Sequence, residues 1–571
     1  MRANPSRKRS RPARLIPLCL ALASFGAIAA DAQPAIRGVW VDAFHSGFKS
    51  TSQVNTLVSR AASGNYNAIF AEVLAYHDDN GGGHGAYWNS SIVPKADDVS
   101  ASFDPLAYLV TQAHTAGIEV HAWIVPYRVS TVWPPAGNTL LASHPEWLMV
   151  SLADMGGGPA KIDGKYVLDP GSPDAQAYLI SIVQELVTDY AIDGINFDYI
   201  RYTQVDAGYP ADENYAYSSL ARFQYLTWYV GVPAPHGVTS WNDFRRRTID
   251  EFVRRSRVEI ATLPNPRQPL RFTADLITFG NAPANFIYGE PYALHQNWKY
   301  WLEQGYLDAG IPMNYKREHI SSEALWYRNW INAALNWRGS RHIVGGQGNY
   351  LNTKANSVTQ LQYCLNAGAH GTCNYSYIGT ADEDLDGDWE SDWTWYPYVA
   401  AQLFTTPVAT PDMPWRNPAT AVEGTLWGQI TNPTTGEPID GARVQVDGFD
   451  PVYADGNGYY VMTMIPATSG GTVYDISAMM WGCPEVVVEN VVILPGDAVR
   501  LDLELCSSWV PGDVDEDGDI DATDAAYVLF CLAGPDDVFA SGHFCLNGDA
   551  DNDLDLDLSD VARFQQVYEG P

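Results

Sequence analysis

The chain has 571 residues, which at ordinary domain sizes means more than one domain. Its apolar fraction of 46% is that of a globular protein, and its formal net charge of −33 argues against nucleic acid or an anionic membrane as partner. The 19 Trp and 33 Tyr suit a carbohydrate binder, whose rings pack on sugar C–H faces, although core filling accounts for most of them.

Residues 1–32 read as a secretory signal peptide. Six basic residues between Arg2 and Arg14 precede the apolar run LIPLCLALASFGAIAA, and Ala30-Asp31-Ala32 offers a small-x-small cleavage site. The run is short of the roughly 20 residues a membrane span needs, and no other stretch is long and apolar enough. The expected product is exported: secreted, periplasmic or at the cell surface. Of the seven cysteines, Cys19 leaves with this segment. The others form local pairs, Cys364/Cys373, Cys483/Cys506 and Cys531/Cys545, where disulfides are expected, although spacing alone does not fix connectivity.

From residue 35 to 405, strand-like apolar runs alternate with amphipathic helical stretches. The strand candidates are RGVWVDAF (37–44), NAIFAEVL (67–74), EVHAWIVP (119–126), DGINFDYIR (193–201), RFTADL (271–276), LDAGIPMNY (307–315), HIVGGQGNY (342–350) and HGTCNYSYI (370–378). Eight such units predict an α/β fold, a (β/α)8 TIM barrel. A doubly wound open sheet is the alternative, but no Gly-rich phosphate loop follows any strand.

In a barrel the C-terminal ends of the strands face the active site. Those ends carry Asp42, His45 and Ser46; Glu72, Tyr76 and His77; His121, Trp123, Tyr127 and Arg128; Asp198, Arg201 and Tyr202; and Asp275. The last three strands add Asn314 and Tyr315, Gln347 and Asn349, and Asn374 and Tyr375. Carboxylates, aromatic platforms and amides on one face suit glycoside hydrolysis, which needs two carboxyl groups across the bond. On the fourth strand, alternation sets Asn196 and Asp198 inward and Ile195, Phe197 and Tyr199 toward the helices. Asp198 is therefore the first catalytic candidate, with Glu72 or Asp275 as its partner. The competing reading makes Asp198 or Glu72 half of an ion pair with Arg128 or Arg201, and Asp275 a hydrogen-bonded strand-end acid. His121 is equally a substrate donor or a satisfied barrel histidine. Trp123, Tyr127, Tyr202 and Tyr315 are candidate sugar platforms, and Arg128 and Arg201 candidate orienting groups.

The run RGVWV, then DPLAYLVTQAHTAGIEVHAWIVPYRVS, HPEWL, VLDPGSPDAQAYL and DGINFDYIRY, resembles the glycosyl-hydrolase-like family 10 domain over residues 35–405. The resemblance implies a barrel hydrolase acting on a polysaccharide, with some relatives linked to bacterial cell-wall glycan and no cofactor for catalysis. It implies His121, Trp123, Tyr127, Arg128, Asp169, Asp198, Arg201 and Tyr202 as cleft residues. The chain departs from the family at Val125, where Asn is common, at Glu72-Val73-Leu74, and in the Gly-rich loop YHDDNGGGHGAYW. The seventh strand ends in GGQGNY and carries no acid. That absence favours a rival reading, a barrel that binds glycan without cleaving it, on a surface or scaffold protein. Ester or amide removal is disfavoured because there is no Gly-x-Ser-x-Gly elbow and no metal triad.

Residues 406–420 are Pro- and Thr-rich and read as a linker. Over 421–506 the pattern turns to strands and turns, a small β-sandwich, and GQITNPTTGEPIDGARVQVDG with GNGYYV resembles the carboxypeptidase-regulatory-like family. Over 507–571, DVDEDGDIDATD places Asp513, Asp515, Asp517, Asp521 and Asp524 at the oxygen-ligand positions of an EF-hand loop, with Gly518 sixth and Asp519 offering its carbonyl. DADNDLDLDLSD repeats this with Asp549, Asp551, Asp553, Asp555, Asp557 and Asp560, and with Leu554 in the glycine position. Two such loops, each followed by a helical run, resemble a type I dockerin. That resemblance implies structural Ca2+ and a cohesin-like protein as docking partner.

Overall fold

The computed structural model describes residues 33–506 other than 153, 155–156, 204–216, 229–238 and 481–482, together with 531–532. The expected signal segment and both predicted dockerin-like calcium loops lie outside the described residues.

The eight expected strands form one parallel ring. They are β1 (Ile36–Val41), β2 (Ala68–Leu74), β3 (Glu119–Ile124), β4 (Gly194–Phe197), β5 (Arg271–Leu276), β6 (Ala309–Pro312), β7, and β8 (Gly371–Tyr375). β7 comes in two pieces, His342–Ile343 paired with β6 and Gly345–Gly348 paired with β8. With β8 paired to β1, the sheet closes into a TIM barrel. Helices α1 (Thr51–Ser63), α2 (Pro105–Thr115), α3 (Pro173–Asp189), α4 (Thr239–Thr262), α5 (Trp298–Glu303), α6 (Ser321–Trp337), α7 (Lys354–Asn366) and α8 (Trp395–Gln402) surround it, one after each strand. Local sequence starts several of them. Asp104 and Ser172 accept from the amides of Ala107 and Ala175, and Pro105 and Pro173 sit in the first turn where no amide is needed.

Strand alternation sorts the side chains into two cores. Val39, Val41, Ile69, Ala71, Val120, Ala122, Ile195, Phe197, Phe272 and Ala274 pack outward against the helices. Ile36, Trp40, Ala68, Phe70, Trp123, Ala309, Ile311, Val344 and Cys373 fill the barrel. The same alternation separates Cys364 from Cys373. Both are buried and free, Cys373 inside the barrel and Cys364 on α7 outside it, so the expected pair does not form.

A β-sandwich follows. One sheet joins β9 (Glu423–Thr431) to Tyr459–Pro466, Ala498–Arg500 and Leu503–Glu504; the other orders Val452–Tyr453, Arg443–Val446, Thr472–Met479 and Val486–Ile493. Cys483 and Cys506 are disulfide-bonded. The sandwich rests on α4, where Val258 packs with Trp427 and Val461 and Arg254 donates to the Tyr453 and Tyr459 carbonyls. Five arginines of α4 are buried, Arg245, Arg246, Arg254, Arg255 and Arg257.

The segment expected to be a linker is anchored along its length. Ala35 donates to the Ala409 carbonyl, Arg271 to that of Pro411, and the Trp415 indole to Asp308. Burial raises the pKa of Asp308, but Arg257 and Arg416 outweigh it and hold the carboxyl well below the usual range.

Candidate active site

Three carboxyl groups meet at the mouth of the barrel. Glu72 projects inward from β2, Asp198 follows β4, and Asp275 lies near the end of β5; all three are buried. Burial raises the pKa of each. Glu72 reaches about 8, because desolvation and the charges of Asp42 and Asp198 outweigh the Ala43 amide and Arg128. Asp275 is pushed up by burial and by Asp198, against a hydrogen bond of 2.8 Å from Asn196 Nδ2. For Asp198, burial raises the pKa while Arg128, the Tyr199 amide, Arg201 and Trp123 oppose it. The charge of Asp198 thus acts on both Glu72 and Asp275, as carboxyls near one another do.

The ion-pair readings do not describe this site. Glu72 Oε2 accepts from the Ala43 amide at 2.8 Å, and Asp198 Oδ1 from the Tyr199 amide at 2.6 Å. Arg128 and Arg201 act on Asp198 through space. Their guanidinium groups instead stack on one ring, 3.5 Å and 4.7 Å from the centroid of Tyr199. Tyr199 has φ +49°, so the strand has already ended and the chain turns left-handed. This turn puts the ring at the mouth, 38% exposed, rather than on the helix face that continued alternation predicts. Arg128, Tyr199 and Arg201 border a cavity of about 220 Å³ together with Asp163, Lys165 and Phe279.

An aromatic wall faces the acids. Trp40, Tyr315, Tyr350 and Tyr375 pack with ring centroids 5.5 to 6.2 Å apart. Tyr315 feels Asp275 and Asp198, and Tyr375 feels Asp42, Glu72 and Asp198, which places the cluster against the carboxyl groups. The glycines of β7 make room for it. A Cβ on Gly346 would lie 2.8 Å from the Trp40 ring, and one on Gly348 3.4 Å from Tyr315. This is a physical reason for GGQG on the strand that lacks an acid. Gln347 and Asn349 accept from Asn374 Nδ2 at 2.9 and 2.7 Å, so amides occupy that side.

Of the other expected cleft residues, Trp123 and Tyr315 line the interior and the wall. Tyr127 and Tyr202 are not platforms: each is only 2% exposed. The Tyr127 ring packs on Phe252 of α4, and the Tyr202 hydroxyl meets Thr248 Oγ1 at 3.2 Å. Asp169 is buried in the same layer, with its pKa raised to about 6 by burial against the opposing Ser218, Gly171 and Arg245. His121 sits low in the barrel, stacked on Phe70 with Nε2 3.1 Å from Glu119. It supports the floor, away from the mouth. Asn314 turns outward and donates to the Tyr327 carbonyl. Strand-end counting selected Tyr375; Tyr199, Trp40 and Tyr350 are the site residues that alternation and strand-end counting did not select. The only sequence signal for them is the aromatic content of the strand ends.

The family described as Glycosyl hydrolase-like 10 matches residues 35–360. Among curated proteins, the chain is 29% identical over 258 residues to Glycosyl hydrolase DigH of Escherichia coli (strain K12), covering 40% of this chain and 52% of that one. It is 23% identical over 225 residues to Glycosyl hydrolase YngK of Bacillus subtilis (strain 168), covering 37% and 39%. The chain thus spans about half the length, or less, of the curated relatives it matches. A solved structure, alpha-L-fucosidase isoenzyme 2 from Paenibacillus thiaminolyticus, aligns at 16% identity and TM-score 0.41 over 65% of this chain and 49% of its own.

Proposed function

Because this chain belongs to the glycosyl hydrolase-like 10 family, we propose that it hydrolyses glycosidic bonds in a polysaccharide, with bacterial cell-wall glycan as the substrate class. The observation that carries the proposal is the group of three buried carboxyls at the barrel mouth opposite an aromatic wall. A glycosidase needs one carboxyl that keeps its proton at neutral pH and one that is held ionised. Glu72, with a pKa near 8, is suited to give its proton to the leaving oxygen. Asp198, whose pKa burial raises but which faces two arginines and an amide donor that favour its ionised form, is suited to act as base toward water or as nucleophile at the anomeric carbon. Asp275, held by Asn196, has its pKa pushed up by burial and by the charge of Asp198. The Tyr315 and Tyr375 rings, backed by the buried Trp40, supply faces for sugar C–H groups, and Arg128 and Arg201 offer a basic rim to a sugar bearing a carboxylate.

A second reading is glycan binding without cleavage, favoured by the amides that stand at the end of β7 in place of an acid. Product analysis separates the two. New reducing ends from peptide-free cell-wall glycan strands support hydrolysis, whereas retention of intact glycan without new ends supports binding alone. Export through residues 1–32, and Ca2+-dependent docking of 507–571 to a cohesin-like partner, complete the proposal and rest on the sequence patterns described above.

A further inference from the structure

The loop after β8 contains a second acidic pattern, DEDLDGD (382–388), with the D-x-D-x-D-G-D spacing of 513–519. In the fold, Asp382, Asp384 and Asp386 each bring one carboxylate oxygen within 4.8 Å of the others. That is the span of oxygens around a cation bound at 2.3–2.6 Å. None of the three is ion-paired with a described lysine, arginine or histidine; the nearby Lys354 is engaged with Glu383 and Asp392. A separate observation concerns Asp382 itself. It is only 3% exposed, its Oδ2 accepts from the Gly387 amide at 3.3 Å, and its Oδ1 is sealed from solvent with no hydrogen-bond partner. A buried carboxylate oxygen without a donor costs several kcal/mol unless a cation or proton satisfies it.

We propose that Asp382, Asp384 and Asp386 bind one divalent cation, Ca2+, in the loop after β8. An all-carboxylate oxygen set favours a hard cation over zinc, and the flexible ligand number suits Ca2+ better than Mg2+. The site bears on the barrel mouth. The same loop carries Trp389, 44% exposed, whose ring stands edge-on to His45 at 5.7 Å, and His45 Nδ1 is 2.7 Å from Asp42. Binding the cation fixes the loop through Gly387, which has φ +96°, and holds Trp389 at the rim.

Equilibrium dialysis of the full chain against Ca2+ tests this, with bound metal counted per chain. The Asp382→Asn/Asp384→Asn chain is expected to bind one Ca2+ fewer than the parent. A chain with Asp513, Asp515, Asp549 and Asp551 changed to Asn is expected to keep at least one, which separates this site from the C-terminal loops. Asp384→Asn alone, at an exposed position, is expected to weaken the site by about tenfold without risk to the fold. Tb3+ luminescence excited through tryptophan is expected in the parent and diminished in Trp389→Phe. Equal Ca2+ counts in the parent and the double variant would overturn the proposal.

Discussion

The amide of Tyr199 donates to Oδ1 of Asp198 at 2.6 Å, so the residue that ends the strand also holds the acid. The left-handed turn at Tyr199 sends its ring back over the mouth, against both Arg128 and Arg201. One backbone event thereby fixes an acid and arranges two cations near it. A non-glycine residue in this conformation costs about 1 kcal/mol or more, and at a barrel mouth the cost is borne for the placement it gives.

Tyr199→Gly separates these roles. Glycine relieves the backbone but removes the ring on which both arginines stack. Thermal stability is expected to change by about 1 kcal/mol or less, because the two effects offset. Turnover on glycan is expected to fall by about tenfold or more, and Tyr199→Phe, which keeps the ring, to retain it. Melting curves and kcat/KM on the same preparations check both expectations.

Glu72 gives a pH dependence of defined sign. Its folded pKa, about 8, lies above the ordinary 4.5, so the folded state keeps a proton that the unfolded chain has lost. Stability from this group is full below the ordinary value and declines as pH rises toward about 8. Glu72→Gln should flatten that decline and be the more stable protein at pH 8, measured by urea unfolding across pH. The parent's kcat/KM should fall as pH rises through about 8, where Glu72 loses its proton.

Gly194 opens β4 where the neighbouring strand's backbone and His121 close in. A Cβ there would lie 2.3 Å from the Arg271 carbonyl oxygen and 2.4 Å from His121 Nδ1. Gly194→Ala is expected to destabilise the fold by about 1–3 kcal/mol, read from the urea midpoint.

Trp427 lies between the sandwich and α4 with Val258 and Val461. Trp427→Ala is expected to cost about 3–5 kcal/mol and to split the unfolding transition, as the two cores lose their shared contact. Calorimetry would show two peaks where the parent shows one.

The barrel was legible in the sequence because its strands alternate strictly. Ile195 and Phe197 face helices, Asn196 and Asp198 face inward, and all eight runs carry a strand. The site was only partly legible, because alternation stops where strands end. Tyr127 and Tyr202 lie beyond β3 and β4, and loop geometry rather than parity turned their rings into the helix layer. Tyr199 went the opposite way for the same reason. The aromatic wall joins residues on β1 and β8 and just past the ends of β6 and β7 that no local window brings together. The 406–420 segment reads as a linker from composition, yet Ala35, Arg271 and Asp308 give it fixed partners that composition does not reveal.

The central claim is that Asp198 and Glu72 cleave a glycosidic bond. Its most direct test is the rate of reducing-end release from peptide-free cell-wall glycan strands and a panel of other polysaccharides, by the parent and by Asp198→Asn. The account predicts release by the parent on at least one glycan, and a loss of about a thousandfold or more in Asp198→Asn with its melting curve unchanged. Equal turnover in the two proteins, or glycan binding by the parent with no reducing ends from any substrate, would contradict it.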